Sequence, residues 1–147
     1  MDIKQKLTRV INSEAEAISR IQVTDKFEKA VQLLNACTGK VVATGIGKAG
    51  FIARKFAATL ASTGTPAIYI HPAEAGHGDL GMLAENDCIV AFSTSGKSNE
   101  VIEMLEMARQ FGVSEIIGLT SHAESPLREL SQLVLEMGPD IEEPCPL

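Results

Sequence analysis

At 147 residues the chain is long enough for one domain with a single sizeable core, and its 45% hydrophobic and 22% charged content is that of an ordinary globular protein. A formal net charge of −6 without a basic block argues against a nucleic-acid backbone as partner, and one Tyr with no Trp leaves few stacking platforms for single strands. No apolar run approaches the ~20 residues that span a bilayer. The first residues lack a signal-peptide core, and Cys37, Cys88 and Cys145 are too widely spaced for a disulfide framework or zinc knuckle. The expectation is a protein of the reducing cytoplasm, with neither nucleic acid nor membrane as partner.

In chain order, Ile3, Leu7, Val10, Ile11, Ile18 and Ile21 recur at helical spacing and predict an amphipathic helix over 3–21. Thr24 and Asp25 read as a cap and first turn. A second helix carries Phe27, Ala30, Val31, Leu33 and Leu34 and stops before Gly39. From Lys40 the pattern changes to strand and helix in alternation. Strands are predicted at 41–43, 67–70, 88–92, 116–119 and 133–135, with helices at 49–62 and 99–111. A short helix opens at Ser125-Pro126, and a short helical piece is expected within the polar loop 71–81. This alternation predicts an α/β fold: a three-layer, doubly wound, five-stranded parallel sheet of flavodoxin-like order 2-1-3-4-5, preceded by two helices. The expected organisation is one domain over 1–147, with a helical prefix at 1–39, an α/β core at 40–137 and a tail at 138–147. Because no helix follows the last strand, one sheet face needs cover from the first two helices or from another subunit.

Chemistry concentrates where strands hand over to helices. Ser93-Thr94-Ser95-Gly96-Lys97-Ser98-Asn99-Glu100 joins the third strand to its helix. The first N–H groups of a helix have no internal partner and the helix dipole favours an anion there, so hydroxyls and a lysine added at that point make the components of a phosphate cradle. The plainer reading is a Ser or Asn cap on an ordinary helix. A second turn, Thr44-Gly45-Ile46-Gly47-Lys48-Ala49-Gly50, follows the first strand. Its glycines match a dinucleotide fingerprint, but Ile70 and His71 stand where that motif needs an acidic residue, and the lysine suits a compact anion better. In the predicted strand order these two turns flank the crevice between the first and third strands, which brings Lys48 beside the serine cluster. The plainer reading of Lys48 is a solvated surface lysine.

The loop His71-Pro72-Ala73-Glu74-Ala75-Gly76-His77-Gly78-Asp79-Leu80-Gly81 ends the second strand. Its histidines and carboxylates lack a diagnostic metal spacing, and a turn whose histidines bond backbone is an equal reading. His77, flanked by glycines, allows the closer backbone approach.

Taken together, Thr44 to Gly50, Ser62-Thr63-Gly64-Thr65-Pro66, His71 to Leu80 and the S-x-S-G-x-S-x-E run resemble a sugar isomerase (SIS) domain, and within that superfamily the arabinose-5-phosphate isomerases. The resemblance runs from about Lys40 to the C-terminus. It implies aldose–ketose isomerisation of a phosphosugar, no cofactor, and homotetramers with active sites at subunit contacts. It implies catalytic roles for Lys48, His77, Glu100 and Glu143. Substrate contacts are implied at Gly47, Gly64, Thr65, His71, His77, Ser93, Ser95, Gly96 and Ser98, and an inhibitory zinc ion, where the family binds one, at His71. Two departures stand out. Lys97 replaces the glutamate usual in the serine motif, and Pro144-Cys145-Pro146-Leu147 replaces A-C-P-L. Family members continue past that segment into a long helix and an S-H-P-G-G segment with another catalytic histidine, and often into paired CBS domains. A SIS domain incomplete at its C-terminus is therefore expected.

Isomerisation of this kind moves a proton between C1 and C2 through an enediolate, which needs a base and positive charge near the oxyanion. Glu100 is the leading base candidate and Lys48 the carbonyl-polarising one, with His77 and Glu143 left for hydroxyl protons. The alternative from another class is a non-catalytic phosphosugar-binding module with a regulatory or scaffolding role.

Overall fold

The computed structural model describes residues 2–138. Two helices lead, α1 (Ile3–Ser19) and α2 (Asp25–Ala36). Then come β1 (Val41–Thr44), α3 (Gly47–Ser62), β2 (Ala67–Ile70), α4 (Pro72–Ala75) and one turn of 3-10 helix (Asp79–Met82). The chain continues through β3 (Cys88–Phe92), α5 (Asn99–Gln110), β4 (Glu115–Thr120), α6 (Pro126–Leu130) and β5 (Leu133–Glu136). The sheet is parallel throughout, in the order β2-β1-β3-β4-β5 expected from the sequence.

Strand side chains alternate between two covered faces, as the period of two requires. Val42, Ile89 and Ile116, which are partners across the register, point to one face and pack with Val101, Met104 and Leu105 of α5 and Leu127 of α6. Val41, Ala43, Val90 and Ile117 point to the other and meet Ala53 and Ala57 of α3 and Ala30 of α2. Small alanines on α3 let that helix lie close to the sheet, and both faces are dry because βαβ crossovers put helices over them.

The prefix divides into two parts. Helix α2 opens with the Thr24 hydroxyl accepting from the Lys26 N–H at 3.4 Å, with Asp25 and Glu28 in its first turn, a start that suits the helix dipole. It lies against β5, where Leu33 and Leu34 join the cluster containing Leu133 and Leu135. The face expected to need cover is therefore covered by α2. Helix α1 buries none of its residues.

At the N-terminal edge of the sheet, a charged staple closes the fold. The Asp87 carboxylate accepts from the Lys40 N–H at 2.9 Å, the Lys40 ammonium at 2.6 Å and the Ala84 N–H at 2.8 Å. Asp87 is buried, and every carboxylate oxygen has a partner, which is the condition for tolerating a charge there. Burial pushes its carboxyl up, but those three hydrogen bonds and the Lys40 charge outweigh it and hold the group below the usual carboxylate value. Beside it, burial first and the charges of nearby groups second push the Cys88 thiol up to about 12.

Candidate functional site

The C-terminal edge of the sheet gathers the loops that follow β1, β2, β3 and β4. Hydroxyl groups tie those loops to one another. The buried Thr44 hydroxyl donates to the Ile70 carbonyl at 2.9 Å and joins the ends of β1 and β2. Tyr69 on β2 donates to the Gly45 carbonyl at 2.8 Å and pins the glycine turn after β1. Thr120 at the end of β4 donates to the Thr94 carbonyl at 2.9 Å and pins the serine turn after β3. None of these bonds is local in sequence. The Tyr69 ring also lies 4.6 Å from the Arg54 guanidinium carbon and edge-on to His71, which links α3 to the histidine loop.

The glycine turn is compressed. A Cβ on Gly50 would fall 2.7 Å from the Gly45 carbonyl oxygen and 3.0 Å from the Tyr69 hydroxyl, so only glycine fits there. A Cβ on Gly45 would fall 3.0 Å from the carbonyl oxygen of Phe92, the last residue of β3. The glycine turn thus reaches the end of β3, where the serine turn begins, across the β1–β3 pair at which the winding of the sheet reverses. Gly47 opens α3 with φ 61°, and Lys48 is its second residue.

The serine turn is wound on itself. The Ser93 hydroxyl accepts from the Gly96 N–H at 3.1 Å and lies 3.1 Å from the Ser98 hydroxyl, and the Ser95 hydroxyl accepts from the Lys97 N–H at 3.2 Å. Gly96 takes φ 66°, and a Cβ there would fall 2.2 Å from the Ser125 hydroxyl, an oxygen that is buried without a hydrogen-bond partner among the described residues. Leu127 N–H donates to the Gly96 carbonyl at 3.1 Å, so the turn is backed by the start of α6. Ser98 stands at the N-cap of α5, yet its side chain makes no cap bond, and Ile46 at the N-cap of α3 has none to offer. Both helices that meet the crevice therefore present uncapped N-termini, unlike α2 with its Thr24 cap. The cap reading of Ser98 does not describe this structure.

Lys48, Lys97, His77 and Glu100 are exposed, and the side chains of Lys48 and Lys97 have no ion-pair partner among the described residues. Glu100 lies in the first turn of α5. His71 is the N-cap of α4, where its Nδ1 accepts from the Ala73 N–H at 3.3 Å. The histidine loop rests on α5: Ala75 is buried in the cluster with Val101 and Met104, and Gly76 faces the Met107 methyl. Gly47, Lys48, His71, His77, Ser93, Ser95, Gly96, Ser98 and Glu100 thus share one edge of the sheet.

Gly64 and Thr65 do not. They follow the C-terminus of α3, and sixteen residues of helix keep them ~24 Å from its N-terminus, at the opposite edge. Their expected place in the substrate site does not hold within one copy, because α3 runs antiparallel to the strands it joins. Glu143 lies outside the described residues. The zinc expectation at His71 finds no support in the donor set: Nδ1 is engaged by backbone, and no group of three or more His, Cys, Asp or Glu among the described residues is placed to hold a metal. Sequence reasoning missed the roles of Thr44, Tyr69 and Thr120, whose partners lie far away along the chain, and of Ser125, whose hydroxyl has none among the described residues.

A parallel doubly wound sheet with an anion-directed crevice at its switch point defines a class of phosphate-ligand domains. Comparison with known proteins narrows that class: the SIS domain model matches residues 34–145, and the chain belongs to that family. It is 40% identical to the arabinose 5-phosphate isomerase KdsD of Pseudomonas aeruginosa over the whole chain and 45% of that relative. It is 42% identical to KdsD of Francisella tularensis over 91% of the chain and 42% of the relative. The chain therefore spans less than half the length of these relatives. Among solved structures, a putative phosphosugar isomerase involved in capsule formation from Bacteroides fragilis superposes with a TM-score of 0.89 at 39% identity, covering 92% of this chain and 73% of that one. An E. coli CFT073 protein solved in complex with arabinose 5-phosphate superposes with a TM-score of 0.87 at 35% identity, covering 94% and 76%.

Proposed function

We propose that the protein is an aldose–ketose isomerase of phosphosugars that interconverts ribulose 5-phosphate and arabinose 5-phosphate in the cytoplasm, as a supply step for Kdo and for lipopolysaccharide or capsule. The observation that carries this reading is the pair of uncapped helix N-termini, α3 with Lys48 and α5 with Ser98, at the adjoining ends of β1 and β3. Uncapped amides, hydroxyls and a lysine at one crevice favour a dianionic phosphate over any neutral group. The relatives named arabinose 5-phosphate isomerases support the choice of sugar.

In this reading Ser93, Ser95, Gly96 and Ser98 hold the phosphate, and Gly47 lets the backbone approach it. The phosphate does not react, so its binding energy is available to orient the sugar chain. Glu100, two residues into α5, carries the proton between C1 and C2. Lys48 draws electron density from the carbonyl and stabilises the enediolate oxygen that forms. His77 moves hydroxyl protons, with Glu143 as the second carrier. Each step exchanges one proton between substrate and side chain, and no cofactor is needed. Assembly as a homotetramer with sites at subunit contacts completes the reading.

The test is Glu100→Gln. Turnover is expected to fall about 10²–10⁴-fold while inorganic phosphate and arabinose 5-phosphate still bind, since only proton transfer is lost. Unchanged turnover removes Glu100 from the chemistry. Binding of phosphosugar by a wild-type protein without turnover favours the regulatory module instead.

A further inference from the structure

Five polar residues are buried among the described residues, and four of them are bonded. Thr44 donates to the Ile70 carbonyl, Asp87 accepts from Lys40 and Ala84, Ser93 accepts from the Gly96 N–H, and Thr120 donates to the Thr94 carbonyl. The fifth is Ser125, 8% exposed, whose hydroxyl has no partner among the described residues. A buried hydroxyl without a partner carries a desolvation cost that a methyl group of similar size does not.

Its neighbours explain the missing bond. Ser125 is the N-cap of α6, where a serine side chain ordinarily accepts from the N–H two or three residues on. Both amides are engaged elsewhere: Leu127 N–H donates to the Gly96 carbonyl at 3.1 Å and Arg128 N–H to the Ser125 carbonyl at 3.0 Å. The serine turn has captured the amide that the cap would use, and the Ser125 hydroxyl stands against Gly96, where a side chain at 96 would lie.

The amides of that turn face inward. Gly96 N–H donates to the Ser93 carbonyl and hydroxyl, and Lys97 N–H to the Ser95 hydroxyl. An anion held by the Lys97 N–H must draw it off Ser95. The Gly96 carbonyl and the Lys97 N–H belong to one planar peptide, so turning the amide outward turns the carbonyl off the Leu127 N–H. Gly96, with no Cβ, permits the rotation.

We infer that Ser125 is a positioning residue of the phosphate site: as the Gly96–Lys97 peptide turns its N–H to the anion, the Leu127 N–H passes from the Gly96 carbonyl to the Ser125 hydroxyl. Leu127 is fully buried, so without that acceptor its amide would be left unpaired. The inference rests on the phosphate-binding reading above and adds the group that lets the turn reach its bound form.

Ser125→Ala tests it. The thermal unfolding midpoint without phosphate should be unchanged or raised, since the lost hydroxyl makes no bond there. Inorganic phosphate and arabinose 5-phosphate should each bind about tenfold more weakly by calorimetry. KM for ribulose 5-phosphate should rise about tenfold with kcat within about twofold, because no proton-moving group is touched. At saturating phosphate the Leu127 amide should exchange with deuterated water about tenfold faster in the variant than in the wild type. In the wild type itself, titrated phosphate should move the Lys97 and Leu127 amide resonances together. A Leu127 resonance that stays in place while that of Lys97 moves overturns the inference, however the variant folds. A lowered unfolding midpoint without phosphate, joined to unchanged phosphate affinity, also overturns it and makes Ser125 a packing or water-binding residue. Wild-type protein that binds no phosphate removes the anion site and the inference with it, whereas phosphate binding that Ser125→Ala leaves unchanged overturns the inference alone.

Discussion

Thr24 and Ser98 occupy the same position relative to their helices, and the structure uses them differently. Thr24 accepts from a backbone N–H of α2, while Ser98 turns its hydroxyl to Ser93 and leaves α5 open. Thr24→Ala should therefore cost about 1 kcal/mol in urea unfolding. Ser98→Ala should cost much less and instead weaken phosphate binding measured by calorimetry; equal stability losses with unaltered phosphate affinity would return Ser98 to the role of cap. Asp87 carries a different prediction. Asp87→Asn should destabilise by about 2–3 kcal/mol, because the Lys40 ammonium and two amides lose a charged acceptor. Its folded carboxyl is held down, so the stabilisation is complete above the unfolded value of about 3.9 and is lost as pH falls through the lower folded one. Between neutral pH and about pH 2 the wild type should thus lose more stability than Asp87→Asn. Nothing local marks Asp87 in the sequence, since Lys40 is 47 positions away. The serine cluster was legible because its chemistry is written in one run of eight residues.

Among elements, the serine turn has the least room for change. Gly96→Ala must place a Cβ 2.2 Å from the Ser125 hydroxyl on a backbone with φ 66°, so it should destabilise the domain by more than about 1 kcal/mol and abolish phosphate binding. Retained phosphate affinity in that variant would mean that the turn does not form the anion site. Helix boundaries were readable to within a residue or two: α5 ends one residue before the expected 111, and α3 starts two before the expected 49. That second shift matters because it brings Gly47 and Lys48 into the first turn of α3 and makes its N-terminus part of the crevice. The glycines hid this start, being poor helix formers by propensity, yet Gly50 is required by the close Gly45 carbonyl and Gly47 is favoured by its φ of 61°. Helix α1 reads two residues too long for a related reason: its periodicity continues to Ile21, but among the described residues no packing surface buries its last turn.

At the scale of the whole molecule, topology was legible because five short apolar runs separated by helices admit few arrangements once crossovers are consistent. That topology alone put the Lys48 turn beside the serine turn, and the Gly45–Phe92 contact bears it out. The same logic puts Gly64 and Thr65 at the edge away from the crevice of their own copy, since a crossover helix returns the chain to the far edge. A motif read along the sequence does not carry that information, whereas the winding of the sheet does. The central claim is that this edge converts a ketose phosphate into an aldose phosphate. Incubating ribulose 5-phosphate with the protein in deuterated water and following it by NMR tests this directly. The prediction is the appearance of arabinose 5-phosphate with deuterium at carbon 2, abolished by Glu100→Gln. Ribulose 5-phosphate left unchanged at high protein concentration, although phosphate binds, would contradict it.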